Sequence, residues 1–442
     1  MTGVLRRLRW SSMTADERRR LVDRDITALV DPALREQITA LVADVRERGD
    51  AAVCDALARF DRVEVAPEGL RVSDDEWEAA GSSIEPDLRR AIATMVDHVR
   101  RFNERLLDQR GDWSFEIDPG LVVGEKVSPI ASAGLFCPSG KASYPSVLAQ
   151  LGGPAVVAGV PEIRVVVPPK PGADGAVDPV VLAVARALGV REVFRVNGPA
   201  GVAALAFGTE SIGRVVKVMG PGSLPVTVAQ LEIQRWGTAT VMALGPTESL
   251  VIADASADPV RLAADLMIEA EHGTDGCTIL VCTDATLIEK VDAEIARQIL
   301  ALPDERAAAV RASLGTNGGA VLVDDLDVAA TVANAVAPEH LQVAVANPDP
   351  VVAALVHAGE ILIGQHTPFS AANFVIGVPA SLPTNGFARV SSGVTAESFL
   401  KRTAVARADE VALRRLATDV TTLADVEGFP AHGNALRLRF PD

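Results

Sequence analysis

A single tyrosine, Tyr144, stands in a chain of 442 residues, beside only six histidines and four cysteines. Cys54, Cys137, Cys277 and Cys282 make no C-x-x-C pair and sit mostly among apolar neighbours, which argues against a disulfide framework or a thiolate zinc site. They read as small core residues, and none has a histidine or cation beside it in sequence that would activate a catalytic thiolate. Hydrophobic residues make up 48% of the chain, yet no run of about 18 apolar residues escapes charge, Pro or Gly, so no membrane span is expected. The basic start Leu5-Arg6-Arg7-Leu8-Arg9-Trp10 leads into no apolar segment, unlike a signal peptide, and the expected location is cytoplasmic. A formal charge of −16, with no compact Lys/Arg stripe interleaved with aromatics, repels phosphate backbones and speaks against nucleic acid as a partner. No G-x-G-x-x-G fingerprint occurs, so a dinucleotide site here is not of the ordinary Rossmann kind.

What is present is a chain long enough for two to four structural units. From about Met13 to Arg110 apolar residues recur at helical steps, as in Ile38, Leu41, Val42 and Val45, with dense charge between them. After Trp113 the texture changes to short β-branched runs. Ile163–Val167 and Glu192–Val196 flank a helix-like Val180–Leu188, and strand, helix, strand in that order predicts a parallel sheet. A second α/β series begins with Ala239–Met242, then Ser249–Ile252, a helix, and Thr278–Val281. Gly152-Gly153-Pro154 and Gly220-Pro221-Gly222 read as turns beside strands. The last segment, roughly Ala396 to Asp442, reads as a small appended unit.

Few segments could carry chemistry. Asp258 as N-cap, Pro259 as first residue and Gly273 past the end predict a helix over Pro259–His272. Glu269 and His272 then share its last turn, where a carboxylate and an imidazole can converge on a metal ion. A histidine at a helix C-terminus is equally what the macrodipole favours. Glu339-His340 follows Ala337-Pro338, and the proline makes the segment extended or turned, offering an adjacent acid and base for proton transfer. The bland alternative is a solvated carboxylate beside a partly buried histidine. Glu427 and His432 pose the same choice, whereas His98, His357 and His366 show no partner in sequence. Tyr144, in the loop Pro138–Ser146, either stacks on a nucleotide base or plugs the edge of a core.

Taken in order, these segments resemble the histidinol dehydrogenase family. The motifs are Pro138–Ser146, Leu205–Thr209, Gly220-Pro221-Gly222, Gly245–Glu248, Ala270–Gly273, Ala337–Leu341, Leu382-Pro383-Thr384, Ser391-Ser392-Gly393, and Glu427-Gly428 with His432. The resemblance implies an α/β fold of two incomplete Rossmann-like α/β/α domains in an intertwined homodimer. It implies an N-terminal helical segment (1–36), a main catalytic and metal-binding domain (37–142 plus 245–395), a second domain on the NAD side (143–244), and a tail domain (396–442) that enters the partner's site.

It further implies zinc or another divalent cation held at Glu269, His272, Asn373 and His432 of the second subunit. The family's ligands are Gln, His, Asp and His, so Gln plus Asp has become Glu plus Asn with the total charge unchanged. A carboxylate ligates zinc through oxygen, and the neutral Asn373 is the weaker donor. The catalytic pair is intact as Glu339 and His340. Thr247 stands for the family's serine at the substrate, Ala380 for its histidine, and Glu427 is retained. At the cofactor Tyr144 is kept, while Ala200 and Ser223 replace Gln and Asn. The implied reaction is NAD-linked oxidation of a primary alcohol through the aldehyde to the carboxylate, with L-histidinol as the parent substrate and a related polar or amino alcohol as the variant. The alternative is an inactive member acting as a binding or interaction protein.

Overall fold

The computed structural model describes residues 3–22, 31–108, 110–139, 143–170, 172, 175–241 and 245–440. Gly140, Lys141 and Ala142 of the tyrosine loop, Met242 of an expected strand, and part of the N-terminal helical segment (23–30) lie outside them. Among the described residues thirteen strands occur, in chain order β1 (Arg7–Arg9), β2 (Trp113–Asp118), β3 (Leu121–Pro129), β4 (Ser132–Phe136), β5 (Glu162–Val167), β6 (Glu192–Arg195) and β7 (Lys217–Met219). They continue as β8 (Glu248–Ala253), β9 (Cys277–Cys282), β10 (Gly319–Leu322), β11 (His340–Ala344), β12 (Glu360–Ile363) and β13 (Leu400–Ala408). By internal contacts the chain falls into two compact units, residues 1–104 with 131–399, and residues 105–130 with 400–442.

The larger unit holds two parallel sheets, as strand–helix–strand order predicts. One has the order β6-β5-β4-β7 and the other β1-β10-β9-β8-β11-β12. β8 and β9 are buried at all positions, which is why their sequences run apolar without alternation: helices cover both faces. Aspartates set the starts of several helices in this unit. Asp178, Asp258, Asp284 and Asp325 each accept backbone N–H groups at an N-cap, and prolines follow the first two.

Several expectations give way to tertiary packing. β4 belongs to the four-stranded sheet, ahead of the boundary expected at residue 143, and β1 places part of the N-terminal segment in the six-stranded sheet. Ala239 makes only an isolated bridge to Lys217 rather than opening a strand. Gly152-Gly153-Pro154 is not a turn but the interior of the helix Pro145–Val157, because a Cβ on Gly152 or Gly153 would stand 2.7 Å from Leu188 or 2.6 Å from Val99. Close helix packing, not a bend, calls for glycine there. Cys137, Cys277 and Cys282 are buried as expected, and Cys54 is partly exposed. Burial pushes the Cys137 thiol up to about 12 and the Cys282 thiol up to about 11, leaving both inert.

The smaller unit is more than the expected tail. β13 pairs antiparallel with β3 over nine residues, and β3 with β2, so the hairpin 113–129 and the C-terminal segment make one sheet with the helices Glu410–Val426 and Pro430–Arg437. No helix among the described residues is long and apolar enough to cross a membrane.

Candidate active site

In the six-stranded sheet Thr247, Gly276, Glu339 and Gly359 all lie just before their strands, so the strands' amino ends form one edge. The helix after β8 runs Pro259–Ala270, antiparallel to the sheet, and so delivers its C-terminal turn to that edge. A cavity of about 500 Å³ opens here. Its other wall comes from the carboxyl ends of the four-stranded sheet, through Pro138 and Tyr144 after β4 and Pro221, Gly222 and Ser223 after β7. Thr247, Glu269, His272, Glu339, His340, Asn373 and Ala380 line the same cavity.

Glu269 is at its floor, 2% exposed. Asn373 donates its amide Nδ2 to Glu269 Oε1 at 2.6 Å, while Oε2 is buried without a hydrogen-bond partner among the described residues. His272 Nε2 lies 3.5 Å from that oxygen and His340 Nε2 3.9 Å. His272 sits beyond the helix, which stops at Ala270. The C-cap Glu271 keeps a right-handed conformation, and Gly273, past the end as expected, is not among the positive-φ glycines. Asn373 is held on a π-helical turn, Ala372–Ile376, braced by His98, whose Nδ1 lies 2.6 Å from the Val375 carbonyl oxygen. His98 therefore does have a partner, on an element far away in sequence.

Ala337 ends the helix Leu326–Val336 in the left-handed conformation, φ 52°, and Pro338 then turns the chain into β11. Glu339 Oε2 accepts from the backbone N–H of Glu248 at 3.1 Å, leaving Oε1 3.7 Å from His340 Nε2. His340 Nδ1 points the other way, 2.5 Å from Glu360 Oε1, and its ring meets Phe369 edge-on at 5.7 Å. Burial pushes the Glu339 carboxyl up to about 8 against the pull of His340. Burial alone would lower His340, but Glu269, Glu339 and Glu360 outweigh it and raise it to about 10.

An unpartnered buried carboxylate oxygen next to an imidazole, at the negative end of a helix, suits a divalent cation. Among the described residues no three His, Cys, Asp or Glu side chains form a metal cluster. This unit thus offers Glu269, His272 and the Asn373 amide as an incomplete set.

The histidinol dehydrogenase family profile matches residues 27–440. The chain belongs to the histidinol dehydrogenase family. It is 37% identical over 430 residues to the histidinol dehydrogenase of Methanosarcina barkeri, covering 97% of this chain and 96% of that one. Against the histidinol dehydrogenase of a Synechocystis species it is 40% identical over 400 residues, covering 90% and 91%. The crystal structure of histidinol dehydrogenase from Elizabethkingia anophelis superposes with a TM-score of 0.92 at 28% identity, over 99% of this chain and 98% of that chain. Membership of a dehydrogenase family makes the chain an oxidoreductase.

Not every residue picked out through the family lies in this cavity. Ala200 is buried in the helix Gly198–Phe207 and lines a neighbouring cavity of about 640 Å³ with Asn197 and Pro199; Ser223 lines both. Glu427 and His432 belong to the smaller unit, where both are exposed and the His432 ring lies tilted against Phe429, centroids 5.0 Å apart. Sequence analysis missed Glu360 and His98. Neither stands in a motif, and only strand register and helix packing reveal their partners.

Proposed function

We propose that this histidinol dehydrogenase family member oxidises a primary alcohol to a carboxylate with NAD, taking L-histidinol or a related amino alcohol. The observation that carries the reading is the buried acid–base pair Glu339–His340, facing a cavity whose size suits a small substrate. No Lys or Arg is found among the described lining residues, whereas Glu269, Asp275 and Glu339 are, which favours a substrate bearing an amine over an anionic one.

His340 Nε2 accepts the hydroxyl proton of the alcohol as the hydride departs. Glu339 then takes a proton from a water that adds to the aldehyde carbon, and the resulting hydrate gives up a second hydride to become the carboxylate. NAD, when bound, receives each hydride, so two are reduced per product. Its fit is supported by the neighbouring cavity at the carboxyl edge of a parallel sheet, where the helices Gly198–Phe207 and Leu224–Gln234 begin. Their N-caps, Asn197 and Ser223, make no side-chain capping bond, which leaves N–H groups for a pyrophosphate. Tyr144, Ser223 and Ala200, which line these two cavities, would hold the cofactor.

Glu269, His272 and Asn373 would hold zinc or another divalent cation together with His432 from a second copy, and Glu427 of that copy would reach the substrate. The cation, when bound, orients the substrate and lowers the cost of alkoxide character. Exposed Trp113, Phe115, Ile117, Leu423, Val426 and Phe429 on the smaller unit support a homodimer, because so many apolar side chains in one small unit call for a cover. Ala380 and Thr247 line the same cavity, and standing where the family has a histidine and a serine at the substrate they would set its selectivity.

The test is NADH formation by zinc-loaded protein across a panel of amino and polyol alcohols, with product analysis. Two NADH per carboxylate from L-histidinol or a relative is expected. No turnover of any panel member, with no metal bound, would leave the chain as a binding protein.

A further inference from the structure

The pair Glu339–His340 has a third member in space that the sequence does not place beside it. β11 and β12 are parallel neighbours, and their register sets His340 directly against Glu360. Residues so paired project to the same face of a sheet. Both side chains are about 95% buried, and His340 Nδ1 is 2.5 Å from Glu360 Oε1. The other oxygen, Oε2, is buried without a hydrogen-bond partner among the described residues, so within them the carboxylate's one bond from a side chain is the one to this imidazole. A buried carboxylate is costly to keep with so few partners unless it serves a charged or strongly polarised donor.

We propose that Glu360 is the positioning residue of His340, holding the proton of the neutral ring on Nδ1 and so presenting Nε2 as the unprotonated base toward the cavity. The inference rests on the acid–base role given to His340 above. A carboxylate can only accept, so the proton of the His340–Glu360 bond belongs to Nδ1. With that nitrogen occupied, the lone pair of the neutral ring lies on Nε2, which faces Glu339 at 3.7 Å and Glu269 at 3.9 Å. Phe369, edge-on to the ring, limits its rotation. The proton accepted from the alcohol then converts the ring to an imidazolium already paired on its far side, as an orienting carboxylate does for a histidine base in general. Had Nδ1 no partner, the other tautomer would put a hydrogen on the nitrogen that has to receive one.

The test combines kinetics with nitrogen-15 spectra of the full-length holoprotein labelled at its six histidines, the His340 signals being assigned by their loss in His340→Ala. Above the pH at which the ring loses its second proton, raised to about 10, wild type should show the neutral ring with its proton on Nδ1. Glu360→Ala should shift that tautomer and lower kcat by about 10–100-fold with the alcohol KM within about twofold. In the isosteric Glu360→Gln the amide can either accept from or donate to Nδ1, and kcat should follow whichever tautomer the spectrum shows. A wild-type ring protonated on Nε2, or Glu360→Ala turning over at the wild-type kcat, overturns the proposal. So does a Glu360→Gln kcat that moves independently of the tautomer. Should Glu360→Ala not fold, the wild-type and Glu360→Gln spectra still decide. If wild type turns over no alcohol, the functional reading fails, and the tautomer alone then answers for Glu360.

Discussion

His340 divides its two nitrogens between protein and cavity, and the residue-scale predictions follow from that division. His340→Ala should lower kcat by about 10²–10⁴-fold, the range for loss of a general base, while bound zinc measured by atomic absorption stays at the wild-type level. His432→Ala should instead lose metal, because it would remove the imidazole proposed as a ligand. Wild-type rates in both variants would refute the assignment. The pH dependence has a definite sign. Glu339 and His340 both hold their protons above the ordinary range, with values raised to about 8 and about 10, and both have to be in the base form to accept a proton. kcat/KM should therefore climb between pH 7 and 10. A profile flat across that interval would show that neither group limits the reaction.

At the scale of elements, the site depends on how closely the starts of two strands approach. Gly359 donates its N–H to Pro338 O and Glu360 donates to Glu339 O, zipping the entry to β12 against the entry to β11. A Cβ on Gly359 would stand 2.4 Å from the Glu339 carbonyl oxygen, a backbone atom that cannot swing aside. Gly359→Ala should thus cost about 1–3 kcal/mol in stability and lower kcat by separating Glu360 from His340, both readable from denaturant titration and steady-state rates. An unchanged midpoint and rate would mean that the strands part without consequence. The Asn373 turn makes the same point: its π-helical geometry, together with the His98 contact, aims the amide at Glu269.

For the whole molecule, the proposed ligand set Glu269, His272 and Asn373 would be completed by His432 of a second copy. In a shared-site dimer, inactive His340→Ala and inactive His432→Ala chains co-refolded together should recover activity. One site of each heterodimer then combines an intact body with an intact tail. Recovery up to about a quarter of the wild-type rate follows from random pairing of equal amounts, half the dimers being mixed with one good site of two. No recovery from a mixture shown by mass to contain heterodimers would place His432 outside the partner's site.

How much of this was legible beforehand varies with range. Short-range signals determined the helices capped by Asp178 and Asp258, the buried strands around Val165 and Ile279, the inert cysteines, and through motif resemblance the family and its Glu339–His340 pair. Backbone propensity, capping and burial act within a few residues, so a linear string displays them. The meeting of one sheet's amino edge with the other's carboxyl edge was decided only by tertiary structure. So were the glycines inside the helix Pro145–Val157, the joining of the 113–129 hairpin to β13, and the placing of Glu360 behind His340. Each depends on register and packing between segments tens to hundreds of residues apart, where the deciding quantity is which surfaces fit together rather than what any one segment prefers.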